Sequence, residues 1–265
     1  MSGVLVDRAD GVVTVTINRP ERRNAIDVLT FALLRDTFRE IATRDDDRVV
    51  VVTGAGGAFS AGGDLTLPEA GSAAPDDPPE VRTANVLRSP IGEAALALHE
   101  LPQPTIAAVD GVAAGAGANL AFGCDLVVAA DTAWFAELFV TRGLSIDFGG
   151  TWLLPRLVGR ANALGLAMTG DKLPAEEAKA MGLIWQVVDD AQVMDAALAL
   201  AGKLAAMPTK ALAETRRALD DALELDYAAA LDLEAQRQGA LGRGADFAEG
   251  VAAFLAKRAP VFKDR

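Results

Sequence analysis

The sequence predicts an α/β protein whose C-terminal part is dominated by helices, on three observations. Short β-branched runs (Val12–Ile17, Val49–Thr53, Ile106–Val109) alternate with segments of helical periodicity, the rhythm from which α/β sheets are built. Two of these runs lead into turns of residues with little or no side chain, 59–65 (Phe-Ser-Ala-Gly-Gly-Asp-Leu) and 111–120 (Gly-Val-Ala-Ala-Gly-Ala-Gly-Ala-Asn-Leu). Beyond residue 160 the apolar residues recur almost wholly at helical spacing.

Val12–Ile17 alternates as a strand does, and Asn18-Arg19-Pro20 ends it. Phe31, Leu34, Phe38 and Ile41 lie on one face of a helix over 27–43. Val49–Thr53 reads as a strand buried on both faces. Residues 66–90 turn to Pro, Ala, Asp and Glu with no period, which predicts a mobile loop or lid. A helix over 91–100 stops at Leu101-Pro102-Gln103-Pro104. A strand at 105–109, a helix near 116–122 and a strand at 126–130 follow. Helices are expected at 159–170, 174–181, 191–206, 208–223, 226–241 and 245–257, with a short strand at Leu183–Val188 between them. The expected division is a core over 1–200 and a helical region over 201–265. That region is too rich in alanine and leucine to stand solvated on every face, so an oligomer is expected.

Composition removes several function classes. The net charge of −12 argues against nucleic acid as the main partner, although a local Arg cluster can still serve a small anionic ligand. One cysteine, Cys124, and one histidine, His99, leave no intrachain disulfide and no zinc site with several such ligands, and the reading includes no metal. His99, at a helix end, reads as a surface or capping residue, and Cys124 as a small buried hydrophobe. No run approaches the roughly 18 apolar residues of a membrane span, and the first residues hold no signal-peptide core. The expectation is a soluble cytoplasmic protein with no membrane partner.

The motif with most chemical content is the pair of small-residue turns. Each follows a strand, where backbone N–H groups are left unpaired and a ligand can approach closely. One N–H from each, aimed at one oxygen, makes an oxyanion hole. Competing motifs fail. The Thr53-Gly-Ala-Gly-Gly-Ala-Phe59 turn lacks the third glycine of a dinucleotide fingerprint, and Tyr227, the single tyrosine, has Leu231 rather than Lys four residues on. There is no P-loop and no Gly-x-Ser-x-Gly elbow.

Five segments in order carry a family resemblance: Ile17-Asn-Arg-Pro-Glu-Arg-Arg-Asn-Ala-Ile26, Thr53 to Leu65, Pro104 to Ala118, Cys124 to Ala130, and Gly149-Gly-Thr-Trp-Leu-Leu-Pro-Arg-Leu-Val-Gly159. Over nearly its whole length the chain resembles the crotonase superfamily of enoyl-CoA hydratases and isomerases. Met181 to Asp189 and Glu249 to Phe262 look like its epoxyphenylacetyl-CoA isomerase branch. The resemblance implies a spiral of ββα units with a helical C-terminal part, a homotrimer or dimer of trimers, and a coenzyme A thioester as substrate with no further cofactor. It places the oxyanion donors at Gly63 and Ala116, in the turn with Gly115. It places CoA contacts at Arg22 and Arg23, at Ala25, Ala61 and Leu65 through backbone, and, from the last helix of a neighbouring copy, at Phe254, Lys257 and Arg258, the alternative for each charge being a solvated surface.

The hydratases of this family use two glutamates, which here fall at Asn119 and Phe139. Asn does not exchange a proton at neutral pH and Phe has none to exchange, so ordinary hydration is not expected. The isomerase branch carries an acidic residue where this chain has Asp147, flanked by Ile146 in place of Pro and by Phe148 in place of a small residue. Burial beside these two should raise its proton affinity, and their bulk should narrow the pocket. The alternative for Asp147 is a turn residue or a helix cap before Gly149. Glu137 is a second candidate acid, its alternative being an ion-pair partner. Asp64 is expected to brace its turn through nearby N–H groups.

Overall fold

The computed structural model describes residues 3–64 and 78–263. Leu65 and residues 66–77 of the segment read as a lid lie outside the described residues.

A central sheet holds six strands: β1 (Val4–Ala9), β2 (Val12–Ile17), β3 (Val49–Gly54), β4 (Thr105–Val109), β6 (Leu126–Ala130) and β9 (Gln186–Val188), in the order β1-β2-β3-β4-β6-β9. β1 pairs antiparallel with β2, and every later pairing is parallel. Val49–Val52 and Ile106–Val109 are fully buried, as interior parallel strands covered on both faces must be. α1 (Val28–Ala42) starts at Asp27, whose side chain accepts from the Thr30 amide at 2.7 Å, and it buries Phe31, Leu34, Phe38 and Ile41 as its period predicts. α3 (Glu93–His99) packs on α1, and α7 (Val193–Ala205) packs on β2, β3, β4 and β6.

A second sheet crosses beside the first: β5 (Val112–Ala114), β7 (Trp134–Ala136) and β8 (Leu173–Pro174), ordered β5-β7-β8. Neither this sheet nor β1 is anticipated above. The segment 79–90, read as part of a loop, is helical: α2 (Pro79–Val86) continues through a wider turn at Leu87–Gly92, where Ser89 breaks the helical dihedrals, into α3. α4 (Ala116–Phe122) follows the second small-residue turn, and α5 (Gly150–Thr169) starts earlier than expected, with Gly159 non-helical at φ 72°. α6 (Ala175–Ala180) precedes β9. α8 (Thr209–Ala222), α9 (Tyr227–Leu241) and α10 (Ala245–Leu255) complete the chain. No helix among the described residues is long and apolar enough to cross a membrane.

The two small-residue turns lie against each other because of their glycines. A Cβ on Gly62 would sit 2.6 Å from the Ala114 carbonyl oxygen, and one on Gly117 would sit 2.6 Å from Cβ of Ser60. Single bridges Ile26–Gly63 and Ser60–Ala113 then tie the first turn both to the segment after β2 and to β5.

Candidate active site

The first turn is held by a polar scaffold. Asn24, buried and left-handed at φ 56°, donates to the carbonyls of Ala55 (2.7 Å) and Ala58 (2.6 Å). Ser60 donates to the Asn24 carbonyl at 2.8 Å and accepts from the Gly62 amide at 3.2 Å. The Asp64 side chain pairs with that of Arg19 at 2.9 Å; Arg19 also meets Asp27 at 3.3 Å and donates to the Ala25 carbonyl. Ile26 bonds the Gly62 carbonyl and the Asp64 amide at 2.7 and 2.9 Å. In such a bridge the residue between, Gly63, turns its own N–H to the other side.

The second donor comes from α4. Gly115, at φ 54°, precedes the helix, gives its N–H to the Ala136 carbonyl and accepts from the Asn119 amide. Ala116 is the first helical residue, so its N–H has no carbonyl one turn back. Among the described residues neither the Gly63 nor the Ala116 N–H donates to a protein acceptor. Both line one cavity of about 330 Å³. Its walls include Arg22, Ala25, Ala61, Asp64, Gly115 and Asp147, so most of the residues singled out in the sequence converge here.

Asp147 caps no helix, the N-cap of α5 being Gly149 without a side-chain bond, but it does stand in a turn, its carbonyl accepting from the Gly150 amide at 3.0 Å. Its Oδ1 is buried with no hydrogen-bond partner, and burial raises the carboxyl to about 6. Phe148 takes φ 48°, a strained value for a bulky residue. It packs its ring 5.6 Å from that of Phe31 in the core. Phe148 and Ile146 are therefore not among the cavity walls, and the expected narrowing by these two is corrected; Phe139, Leu138 and Leu144 shape that wall instead. Of the two positions expected for hydratase glutamates, Phe139 lines the cavity and Asn119 does not. Phe139 lies against Gly115, and Asn119 stands on α4 behind the cavity.

Glu137, just after β7, is 2% exposed and makes no ion pair among the described residues, so its reading as an ion-pair partner is corrected. Burial pushes its carboxyl up to about 8, and the charge of Asp147 pushes the same way. Arg23 is exposed beside the cavity segment, its carbonyl accepting from the Ala61 amide. Phe254 and Lys257 stand on or just past α10 and do not line this cavity; Phe254 is 83% exposed and lines a separate apolar cleft of about 440 Å³ with Phe247, Val251 and Leu255. A third cleft, about 520 Å³, runs between α5 and α8 past Trp152 and Leu219. Neither larger cleft joins the two free N–H groups to a carboxyl. Sequence reasoning missed Arg142, which lines the cavity opposite the turns, and the bracing roles of Arg19, Asn24 and Asn119. Only Asn24 carried a signal, being a residue type that tolerates left-handed backbone.

Comparison with known proteins identifies the family. The model of the enoyl-CoA hydratase/isomerase family matches residues 7–265. The 1,2-epoxyphenylacetyl-CoA isomerase of Escherichia coli (strain K12) is 44% identical over 262 residues, spanning 99% of this chain and 98% of the relative. The 2,3-dehydroadipyl-CoA hydratase of the same strain is 34% identical over 265 residues, all of both chains. The crystal structure of an enoyl-CoA hydratase from Bacillus anthracis superposes with a TM-score of 0.91 at 30% identity, covering 100% of each chain. Sequence, fold and paired N–H turns together place this chain in the enoyl-CoA hydratase/isomerase family, as an enzyme of the crotonase fold.

Proposed function

We propose that this enzyme shifts a double bond, or isomerises a ring, of a coenzyme A thioester through an enolate, with Asp147 moving the proton. The observation that carries the reading is an uncapped carboxylate lining the same cavity as the free N–H groups of Gly63 and Ala116. Asp147 takes a proton from the carbon α or γ to the thioester. The electron pair moves onto the thioester oxygen, which accepts from both N–H groups as it gains charge. Asp147 then returns the proton to the other carbon, the thioester carbonyl re-forms, and the double bond has moved. An ordinary Asp would be a weak base; one raised to about 6 is still ionised at neutral pH but takes a proton more readily. The 44% identical relative named as an isomerase supports the choice, as does the absence of a carboxylate at positions 119 and 139.

Arg22 and Arg23 face the phosphates of CoA in this reading. Ala25, Ala61 and Leu65 meet it through backbone, and Phe254 and Lys257 come from a neighbouring copy. The chain then works in the cytoplasm as a trimer or dimer of trimers, residues 201–265 forming the contact region; the exposed apolar residues Leu219, Leu223, Phe254 and Leu255 support that assembly.

The test is Asp147→Asn, followed by exchange of α and γ protons of an enoyl-CoA in deuterated water. Exchange should fall by about 10²–10⁴, with binding of the thioester retained in calorimetry. Exchange at the wild-type rate overturns Asp147 as the shuttle. Wild-type protein that adds water to the double bond faster than it exchanges protons is a hydratase, and one that binds without either reaction is an acyl-CoA-binding protein.

A further inference from the structure

Glu137 takes no part in the steps above, yet it is built into the same scaffold. Its Oε2 accepts from Asn119 Nδ2 at 3.4 Å, and that nitrogen also donates to the Asp147 carbonyl at 3.1 Å. Asn119 thus joins the end of β7 to the turn that carries Asp147. Asn119 is also on the helix that begins with the Ala116 donor. The fit is tight: a Cβ on Gly150 would lie 2.4 and 2.5 Å from the two polar atoms of the Asn119 amide. Three oxygens of this cluster, Glu137 Oε1, Asn119 Oδ1 and Asp147 Oδ1, are buried with no hydrogen-bond partner.

With both carboxyls ionised, such a cluster offers many acceptors to one amide donor and adds repulsion at low dielectric. A proton on Glu137 supplies a second donor and removes the repulsion. The surrounding elements bring little countercharge. α4 has no ionisable side chain. Arg142, after β7, gives its guanidinium to the Leu138 carbonyl and to Thr141. Arg156 on α5 is engaged by Trp152 and Glu224, and Arg22 lies on the cavity wall. Asp147 is the ionisable neighbour that acts on Glu137.

We propose that Glu137 is a positioning residue for the proton transfer: uncharged, it holds with Asn119 the Asp147 turn against the helix of the Ala116 donor, and once ionised it sets a second negative charge beside the enolate and slows the reaction. The inference rests on the reading of Asp147 as the proton shuttle, and the test separates the two.

The exchange rate of an enoyl-CoA is measured from pH 5 to 10 in the wild type and in Glu137→Gln. The wild type should rise as Asp147 ionises and fall above pH 8. The amide cannot ionise, so the variant should lose the alkaline fall, and its ratio of rate at pH 9 to rate at pH 7 should exceed the wild-type ratio about tenfold. In parallel, the Asp147 carboxyl is titrated by carbon-13 NMR without substrate, its resonance identified by loss in Asp147→Asn. The wild-type resonance should show a second inflection near pH 8 that Glu137→Gln lacks. A wild-type resonance with no second inflection overturns the proposal, and so does an alkaline fall that survives in the variant. A variant that binds thioester yet exchanges at no pH assigns Glu137 to the chemistry itself and overturns it as well. If the inflection behaves as expected but the wild type exchanges no proton, the coupling stands and the isomerase reading fails.

Discussion

Replacing Glu137 by Gln should change how the stability of this protein depends on pH, and the burial of the side chain sets the amount. The folded protein keeps on Glu137 a proton that the unfolded chain releases near 4.5, holding it to about pH 8. A carboxyl whose proton affinity is raised by folding stabilises the fold fully below its unfolded value, and that contribution is lost as pH rises to the folded value. At about 1.4 kcal/mol per pH unit the whole loss is roughly 5 kcal/mol, of which roughly 3 kcal/mol falls between pH 5.5 and 8.5. Asp147 has the same sign between 3.8 and about 6. The paired carboxylate Glu249, held near 2 by Arg258, has the opposite sign, its contribution arriving as pH rises through the acid range. Both are present in either protein, so the comparison of wild type with Glu137→Gln isolates the one group. The assay is urea unfolding at both pH values and one protein concentration, because assembly also shifts apparent stability. From pH 5.5 to 8.5 the variant should gain on the wild type by roughly 3 kcal/mol, about 1 M in midpoint for a slope of about 3 kcal/mol per M. Stability curves that run parallel across this range would refute the argument that Glu137 is buried as a neutral acid.

Three further outcomes follow from the same geometry. Ala116→Pro removes one oxyanion donor at a first helical position, where proline suits the backbone, so turnover should fall about 10²–10³-fold while thermal unfolding shifts little. Arg19→Ala removes the ion pair with the Asp64 carboxylate, whose side chain is 3% exposed, and should cost roughly 3 kcal/mol in denaturant unfolding together with weaker thioester binding. Cys124 is buried and its thiol is pushed far up by burial, so iodoacetamide should label it in urea and leave it untouched in the native protein.

Much of the site was legible because its chemistry rests on backbone. Small residues after a strand announce a turn with free N–H groups, whatever surrounds it, and the turns at 59–65 and 111–120 do meet, through Gly63 and Ala116, at one cavity. Asp147 was legible as an acidic residue just ahead of a glycine pair. The Arg19–Asp64 pair was not, since the two are 45 residues apart and nothing in the pattern around Asp64 points to Arg19. Nor was the Asn119 clamp, which reaches across 18 residues to Glu137 and 28 to the Asp147 carbonyl.

The amino-acid sequence by itself determined the interior strands β2, β3, β4 and β6 and the amphipathic helices, since burial on both faces or on one stripe writes a period that survives in any context. The family resemblance also pointed to the chemistry: two backbone donors, two candidate acids in Asp147 and Glu137, and no carboxylate at the positions where the family's hydratases carry one. The short strands β5, β7 and β8, of two or three residues each, are too short to show a period, and β1 exposes most of its side chains. These elements exist because neighbours pair with them. The same holds for Phe148, which reads as a pocket residue in sequence and turns into the core at φ 48° to meet Phe31. Only the tertiary structure decides which side chains share a low-dielectric space, and that space is what makes acids of unusual strength out of Asp147 and Glu137.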